Sequence, residues 1–321
     1  MSTRPMAVTV RPPNKWAALA TVCVALLVIA LNTTAINAAI PSIADELHLP
    51  TSTLGWAINA YMLAVASLVV IGGQLGDVLG RRRHFLIGLG VFAAGSLVVA
   101  TATFGATLLV GRTLQGIAAA MLMPATMAII NEVFPKAERG TAMGVWGALG
   151  GLGFALGPLF GGVLTDTIGW RSIFWSDVVL LALTTTMALT LLRGLPGILS
   201  VKPRVDVLGA AALAVGLFLL VLSLERLRDW HPAAVLGGLA AGVGCLALFM
   251  AHERRTRFPL VHLSSFRDRI FVGGNLATAA CTVALIGVPF FFNLYVRRPR
   301  PRSTRRRRGR PPRARGEARL D

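Results

Sequence analysis

Apolar positions along this chain fall in long unbroken stretches. Residues 16–31, 86–99, 207–224 and 233–251 each run for about one bilayer crossing with few or no charges, and roughly 20 residues of helix suffice to span the hydrocarbon core. Lipid offers no hydrogen bonds, so only helices or closed barrels cross it. The stretches are continuous and do not alternate with period two, which predicts helices over strands. Nine helices are expected, at 16–40, 54–76, 84–103, 106–131, 141–164, 172–193, 207–224, 233–251 and 271–295. The breaks between them carry turn and charge chemistry: Pro41 and Ser42 before Asp45 and Glu46, then 77–83, 135–140 and 202–204.

Composition supports the same class. The 321 residues are 55% hydrophobic and 14% charged, against about 25% charged in a soluble domain. The expected fold class is therefore an all-α membrane protein. Arg4, Arg11 and Lys15 precede the first apolar run as in a signal peptide, but the run is too long and many spans follow, so it reads as an uncleaved first helix. Cys23, Cys245 and Cys281 lie in apolar runs without metal-ligand spacing and read as small buried hydrophobes. His48, His84, His231, His252 and His262 sit at loops or helix ends, and no Walker loop is present. No catalytic constellation, metal site or cofactor is expected, and the chain does not read as an enzyme.

Lysine and arginine in the short loops set the orientation. A cytoplasmic N-terminus places Arg81, Arg82, Arg83, Lys136, Arg139, Lys202, Arg204, Arg254, Arg255, Arg257, Arg267 and Arg269 inside. The outer loops then hold only Arg171, Arg226 and Arg228. The expected setting is a multi-pass protein of the plasma membrane, with the lipid bilayer as its solvent. A ninth span breaks the pattern, because it leaves outside a tail, 297–321, with twelve arginines against Glu317 and Asp321. Such a tail cannot build a core and should be disordered. Three readings fit it: a basic segment for anionic lipid or nucleic acid, an ordinary solvated tail, or an out-of-frame translation of a GC-rich gene. The last is favoured, since arginine, proline, glycine and alanine all have GC-rich codons and the first two need the tail inside. Interleaved aromatics are missing, which argues against a nucleic-acid partner.

The loop after the second span reads Gly73-Gln74-Leu75-Gly76-Asp77-Val78-Leu79-Gly80-Arg81-Arg82-Arg83. Its glycines permit a tight turn. Asp77 can accept hydrogen bonds from a neighbouring helix N-terminus or pair with an arginine such as Arg139. This loop resembles the signature between helices 2 and 3 of the major facilitator superfamily. Residues 109–116, containing Arg112 and Gln115, resemble its helix 4 motif. Residues 153–162, with Gly153, Gly157, Pro158 and Gly161, resemble the helix 5 motif of antiporters. Residues 31–41 resemble the helix 1 motif of the fourteen-helix drug/proton antiporters. The likeness covers roughly residues 15–296. It implies a six-helix N-terminal bundle at 16–193, a cytoplasmic linker at 194–206 and two extra linking helices within 207–251. A loop at 252–270, the first helix of a truncated second bundle at 271–296 and the tail then follow, with residues 1–15 a cytoplasmic N-terminal tail. The implied activity is multidrug or antibiotic efflux by alternating access.

Arg112 lies about six residues into its span, roughly 9 Å deep at 1.5 Å per residue, and an intramembrane arginine is functional by default. Snorkelling to the outer interface is the alternative. The resemblance favours a part in coupling for Arg112, Asp77, Arg81 and Asn32. Gly153, Gly157 and Gly161 make one smooth helix face, and Pro158 removes a backbone hydrogen bond, so this face reads as a gating hinge. Trp56, Tyr61, Gln115 and Trp146 are weak candidates to line a substrate site, since membrane aromatics more often face lipid.

Asn32 departs from the family pattern. The drug/proton antiporters usually have an aspartate there, and asparagine takes up no proton at physiological pH. No carboxylate is expected near the middle of a span: Glu132 falls at the cytoplasmic end of the fourth, and Asp166 and Asp177 near the outer face. That leaves proton antiport unsupported by the residues themselves. Asp177, where the family often has asparagine, reads as a solvated interfacial acid in preference to a substitute proton site.

The expected function is a secondary transporter exporting a hydrophobic or cationic small molecule, with protons the candidate coupling ion. Most of the second bundle is absent, so this polypeptide by itself is expected not to transport. Rival readings are a metabolite or sugar carrier of the same superfamily, a half-transporter that dimerises, and a membrane-anchored binding module with a basic tail.

Overall fold

A computed structural model describes residues 14–193, 195, 206–227, 229–256 and 267–296. Each expected span is a helix: α1 Lys15–Leu47, α2 Thr51–Leu79, α3 Arg81–Ala100, α4 Gly105–Val133, α5 Arg139–Thr167, α6 Arg171–Leu191, α7 Val207–Glu225, α8 Pro232–Glu253 and α9 Arg269–Val296. No strand occurs among the described residues. The arginine-rich tail and most of the 194–206 linker lie outside them. Residues 1–261 form one compact unit and 262–321, with α9, a second. Helices α1 to α8 are long and apolar enough to cross a membrane.

The first helix is longer than its sequence suggests. The expected break at Pro41 does not occur, and α1 continues to Leu47, ending at His48 with φ 51°. A proline removes one backbone hydrogen bond, and the turns beyond it have partners of their own. Glu46 accepts a 2.7 Å hydrogen bond from Trp170 Nε1 and pairs with Arg171. At its start, Asn14 Oδ1 caps α1 by accepting from the backbone of Trp16 at 3.0 Å, as an asparagine N-cap does.

Within the first unit α1 packs on α5, α6 and α4, while α4 also packs on α2 and α3. Helix α3 lies against α6, and α7 and α8 pair as a hairpin whose α7 rests on α2. Asp206 joins the ends of that hairpin: it caps the Gly209 N–H at 3.0 Å and lies 3.0 Å from His252 Nε2. Helices α1 and α4 are the most enclosed, whereas α5 and α8 leave most of their length open to the surroundings.

The enclosed interior has two apolar clusters. One gathers Val22, Ile29, Phe85, Phe92, Ala118, Leu122 and Leu181. The other gathers Ile36, Ile43, Val99, Leu108, Ile173 and Phe174. Each of α1, α3, α4 and α6 contributes to both clusters, and each carries a buried polar residue at the step between them: Asn32, Ser96, Arg112 with Gln115, and Asp177.

The glycine face of α5 lies against α1. A Cβ at Gly153 would stand 2.7 Å from the Ala30 Cβ, one at Gly157 would collide with the Thr34 hydroxyl, and one at Gly161 with the backbone of Ala35. Helix α5 runs unbroken through Pro158, whose missing N–H leaves the Phe154 carbonyl without its intrahelical donor. Thr34 Oγ1 of α1 donates to that carbonyl at 3.1 Å. The close approach and the freed carbonyl thus serve one interface. Gly161→Val should lower the thermal unfolding midpoint in detergent by the equivalent of about 1–3 kcal/mol, the usual range for overpacking. Gly162→Ala, with open space around the added carbon, should stay near the parent value. Equal midpoints for the two variants would contradict this packing.

Candidate functional site: a buried ring of polar side chains

Arg112 is fully buried. Its Nε donates to the Ala57 carbonyl of α2 at 3.0 Å, and Nη1 donates to Asn32 Oδ1 at 2.7 Å and to Gln115 Oε1 at 2.8 Å. Each acceptor passes the contact on. Asn32 Nδ2 donates to Asp177 Oδ2 at 2.6 Å. Gln115 Nε2 donates to Ser96 Oγ at 2.8 Å, and Ser96 Oγ lies 3.5 Å from the same Asp177 oxygen. The five side chains close a ring from a guanidinium to a carboxylate along two arms, each bridged by an amide. Each amide turns its oxygen to the cation and its nitrogen towards the anion's side, the one orientation that satisfies both ends. Below the ring the Arg112 guanidinium stands over the Tyr61 ring, 4.5 Å from its centroid. The Tyr61 hydroxyl is 3.1 Å from Thr33 Oγ1. Arg112 Nη2 has no hydrogen-bond partner among the described residues.

The structure corrects the expectation for Asp177. It is 2% exposed and part of this ring, so it is not solvated, and a carboxylate does lie inside the bundle. A depth count could have found it. Arg112 is the eighth residue of α4 and Asp177 the seventh of α6, two helices that run in the same direction. Opposite charges at matched depth are the arrangement lipid enforces. Ser96 had no sequence signal at all.

The other candidates are dispersed. Asp77 is exposed and makes no hydrogen bond or ion pair among the described residues. The expected pairing with Arg139 fails because Arg139 Nε instead donates to the Phe134 carbonyl at 3.1 Å. Arg81 bridges to α4, with Nη1 2.7 Å from Glu132 Oε2 and 3.0 Å from the Ala128 carbonyl. Trp56 holds Arg226 over its ring at 4.3 Å, so it meets the turn after α7. Trp146 Nε1 donates to Thr126 Oγ1 at 3.1 Å, tying α5 to α4. Of the weak substrate-lining candidates, Tyr61 and Gln115 alone belong to the ring region.

A sequence profile of the Major Facilitator Superfamily matches residues 22–299. The chain belongs to the major facilitator superfamily. This superfamily chain is 31% identical over 283 residues to the tetracenomycin C resistance and export protein of Streptomyces glaucescens, covering 88% of this chain and 52% of that one. It is 34% identical over 288 residues to the puromycin resistance protein pur8 of Streptomyces alboniger, covering 88% and 56%. A crystal structure of the peptide transporter POT shares the fold at a TM-score of 0.57 and 20% identity, over 74% of this chain and 52% of that one. The chain spans about half the length of the curated relatives it matches.

In a superfamily bundle of this kind, breaking one member of a buried pair strands the other charge, at a cost of about 3–5 kcal/mol. Arg112→Ala should therefore depress the unfolding midpoint strongly. Arg112→Ala with Asp177→Ala should lose much less than the sum of the two single variants, since groups in one hydrogen-bond network couple. Strictly additive losses would show that the two charges do not sense each other.

Proposed function

We propose that this chain supplies the N-terminal bundle of a secondary active exporter for hydrophobic or cationic small molecules, antibiotics among them, with protons as the counter-ion. The resistance and export names of relatives at 31–34% identity support the substrate class, and they favour export over sugar or metabolite carriage. The observation that carries the reading is the buried Arg112–Asp177 ring, because paired ionisable groups inside a membrane bundle mark ion and substrate pathways.

In this reading the N-terminus is cytoplasmic, as the lysine and arginine distribution favours. Arg81 with Glu132 then braces the cytoplasmic end of α4, beside the exposed Asp77. The glycine face of α5 acts with Pro158 as the hinge along which α1 and α5 adjust. Alternating access needs a facing second bundle, with the substrate held near the midplane between the halves. Export therefore requires more than the 321 residues of this chain.

Coexpression with the segment of the puromycin relative that this chain does not match provides the test, in a host lacking its own efflux pumps. Puromycin resistance should rise several-fold only when both polypeptides are in the membrane, and Arg112→Ala should abolish the gain at equal membrane abundance. Resistance from this chain alone, or none from the pair when both are inserted, would overturn the proposal.

A further inference from the structure

We infer that Asp177 is the residue at which this bundle binds and releases a proton. The inference deepens the export reading and rests on it for the purpose of the proton, but the chemistry stands on the ring geometry. Inside α1 to α6, charged side chains cluster at the helix ends. Helix α1 has Lys15, Asp45 and Glu46, α2 has Asp77, and α3 has Arg81, Arg82, Arg83 and His84. Helix α4 ends with Glu132, α5 carries only Arg139 and Asp166 in its first and last turns, and α6 starts with Arg171. Arg112 and Asp177 are the two charges left in the interior.

The groups facing Asp177 are few and known. From α1 comes Asn32, from α3 Ser96, and from α4 Arg112 with Gln115, while Tyr61 of α2 lies beneath Arg112. Of these, Arg112 is a fixed cation, Asn32, Ser96 and Gln115 do not titrate, and Tyr61 is a phenol far above neutrality in its ordinary range. Asp177 is therefore the one carboxyl of the ring and its one ready proton acceptor. It also holds no direct contact with the guanidinium. An amide stands between them on each arm, so a proton can add to the carboxylate without first breaking a salt bridge. Protonation places an O–H on a carboxyl oxygen, ends the pull of the anion on Asn32 Nδ2 and leaves Arg112 as an uncompensated interior cation. The ring then loses its reason to stay closed, which ties the occupancy of one proton to the contact between α1, α4 and α6.

The whole 321-residue chain in phosphatidylcholine nanodiscs provides the test. Infrared difference spectra between pH steps read the carboxylic-acid carbonyl stretch directly. The parent chain should show a titrating band that is lost in Asp177→Asn and kept in Asp166→Asn. The paired exchange Asn32→Asp with Asp177→Asn preserves the shape of the ring but moves the carboxyl onto α1, into direct contact with Arg112. Its band should return with a shifted frequency. A parent spectrum without such a band, or an unchanged band in Asp177→Asn or in the exchange, overturns the inference. The exchange decides the matter where Asp177→Asn alone does not fold. None of these readings needs transport, so a failed resistance assay leaves them standing, and a working exporter without the band sinks this inference alone.

Discussion

A hydrocarbon solvent cannot hydrogen-bond, so the charged and amide side chains carried into this bundle take their partners from inside it. That constraint fixes the relative heights of four helices at once. Arg112 needs acceptors, and it finds them on α1, α2 and its own α4. The acceptors in turn commit their amide nitrogens to Asp177 and Ser96. Sliding any one of α1, α3, α4 or α6 by a turn, about 5.4 Å, would leave a charge or an amide facing apolar side chains. The two hydrophobic clusters on either side of the ring do not specify register with comparable force, because apolar side chains of similar volume exchange places at modest cost.

The helices among the described residues were legible in the sequence, because lipid demands long apolar runs and the chain supplies them. The ends of the helices were less so. Pro41 reads as a break in the sequence, yet the turns beyond it are held by contacts to Trp170 and Arg171, more than a hundred residues distant in the sequence. The ring was half legible. Asn32, Arg112 and Gln115 were found through motif resemblance, and Arg112 also through the cost of burying it. Asp177 reads as a solvated acid when its distance along the helix is counted from water on one side only. An acid near a helix start is interfacial when nothing compensates it and interior when a cation waits at the same depth. Pairwise depth, and not depth alone, carries that information. Ser96 illustrates the remaining gap, since a serine in a membrane helix gives no clue whether its hydroxyl bonds its own backbone or a partner.

The α1–α5 interface differs in kind from the ring. Its glycines remove side chains so that backbones meet, and Thr34 takes over the carbonyl that Pro158 leaves free. Apart from that hydrogen bond such a surface is smooth, and small residues let helices pack by close contact. Polar groups lock a register, whereas a glycine face tolerates small displacements along its length. Helix α1 therefore has a locked side, towards α4 and α6, and a smoother side, towards α5.

That asymmetry gives the charge of Asp177 mechanical leverage. Asn32 touches both ions through one planar amide, so it cannot serve Arg112 and ignore Asp177. With the carboxylate charged, the amide is held from both ends and α1 is pinned to α4 and α6. With the carboxyl neutral, one end is released and the pinning weakens, while the glycine contact to α5 remains. A change confined to one proton then alters which neighbour α1 follows when the helices shift. A direct salt bridge between Arg112 and Asp177 would lack this property, because the two charges could neutralise each other without involving α1 at all. Placing an asparagine between them makes α1 a party to the pair, beside the Gln115–Ser96 arm.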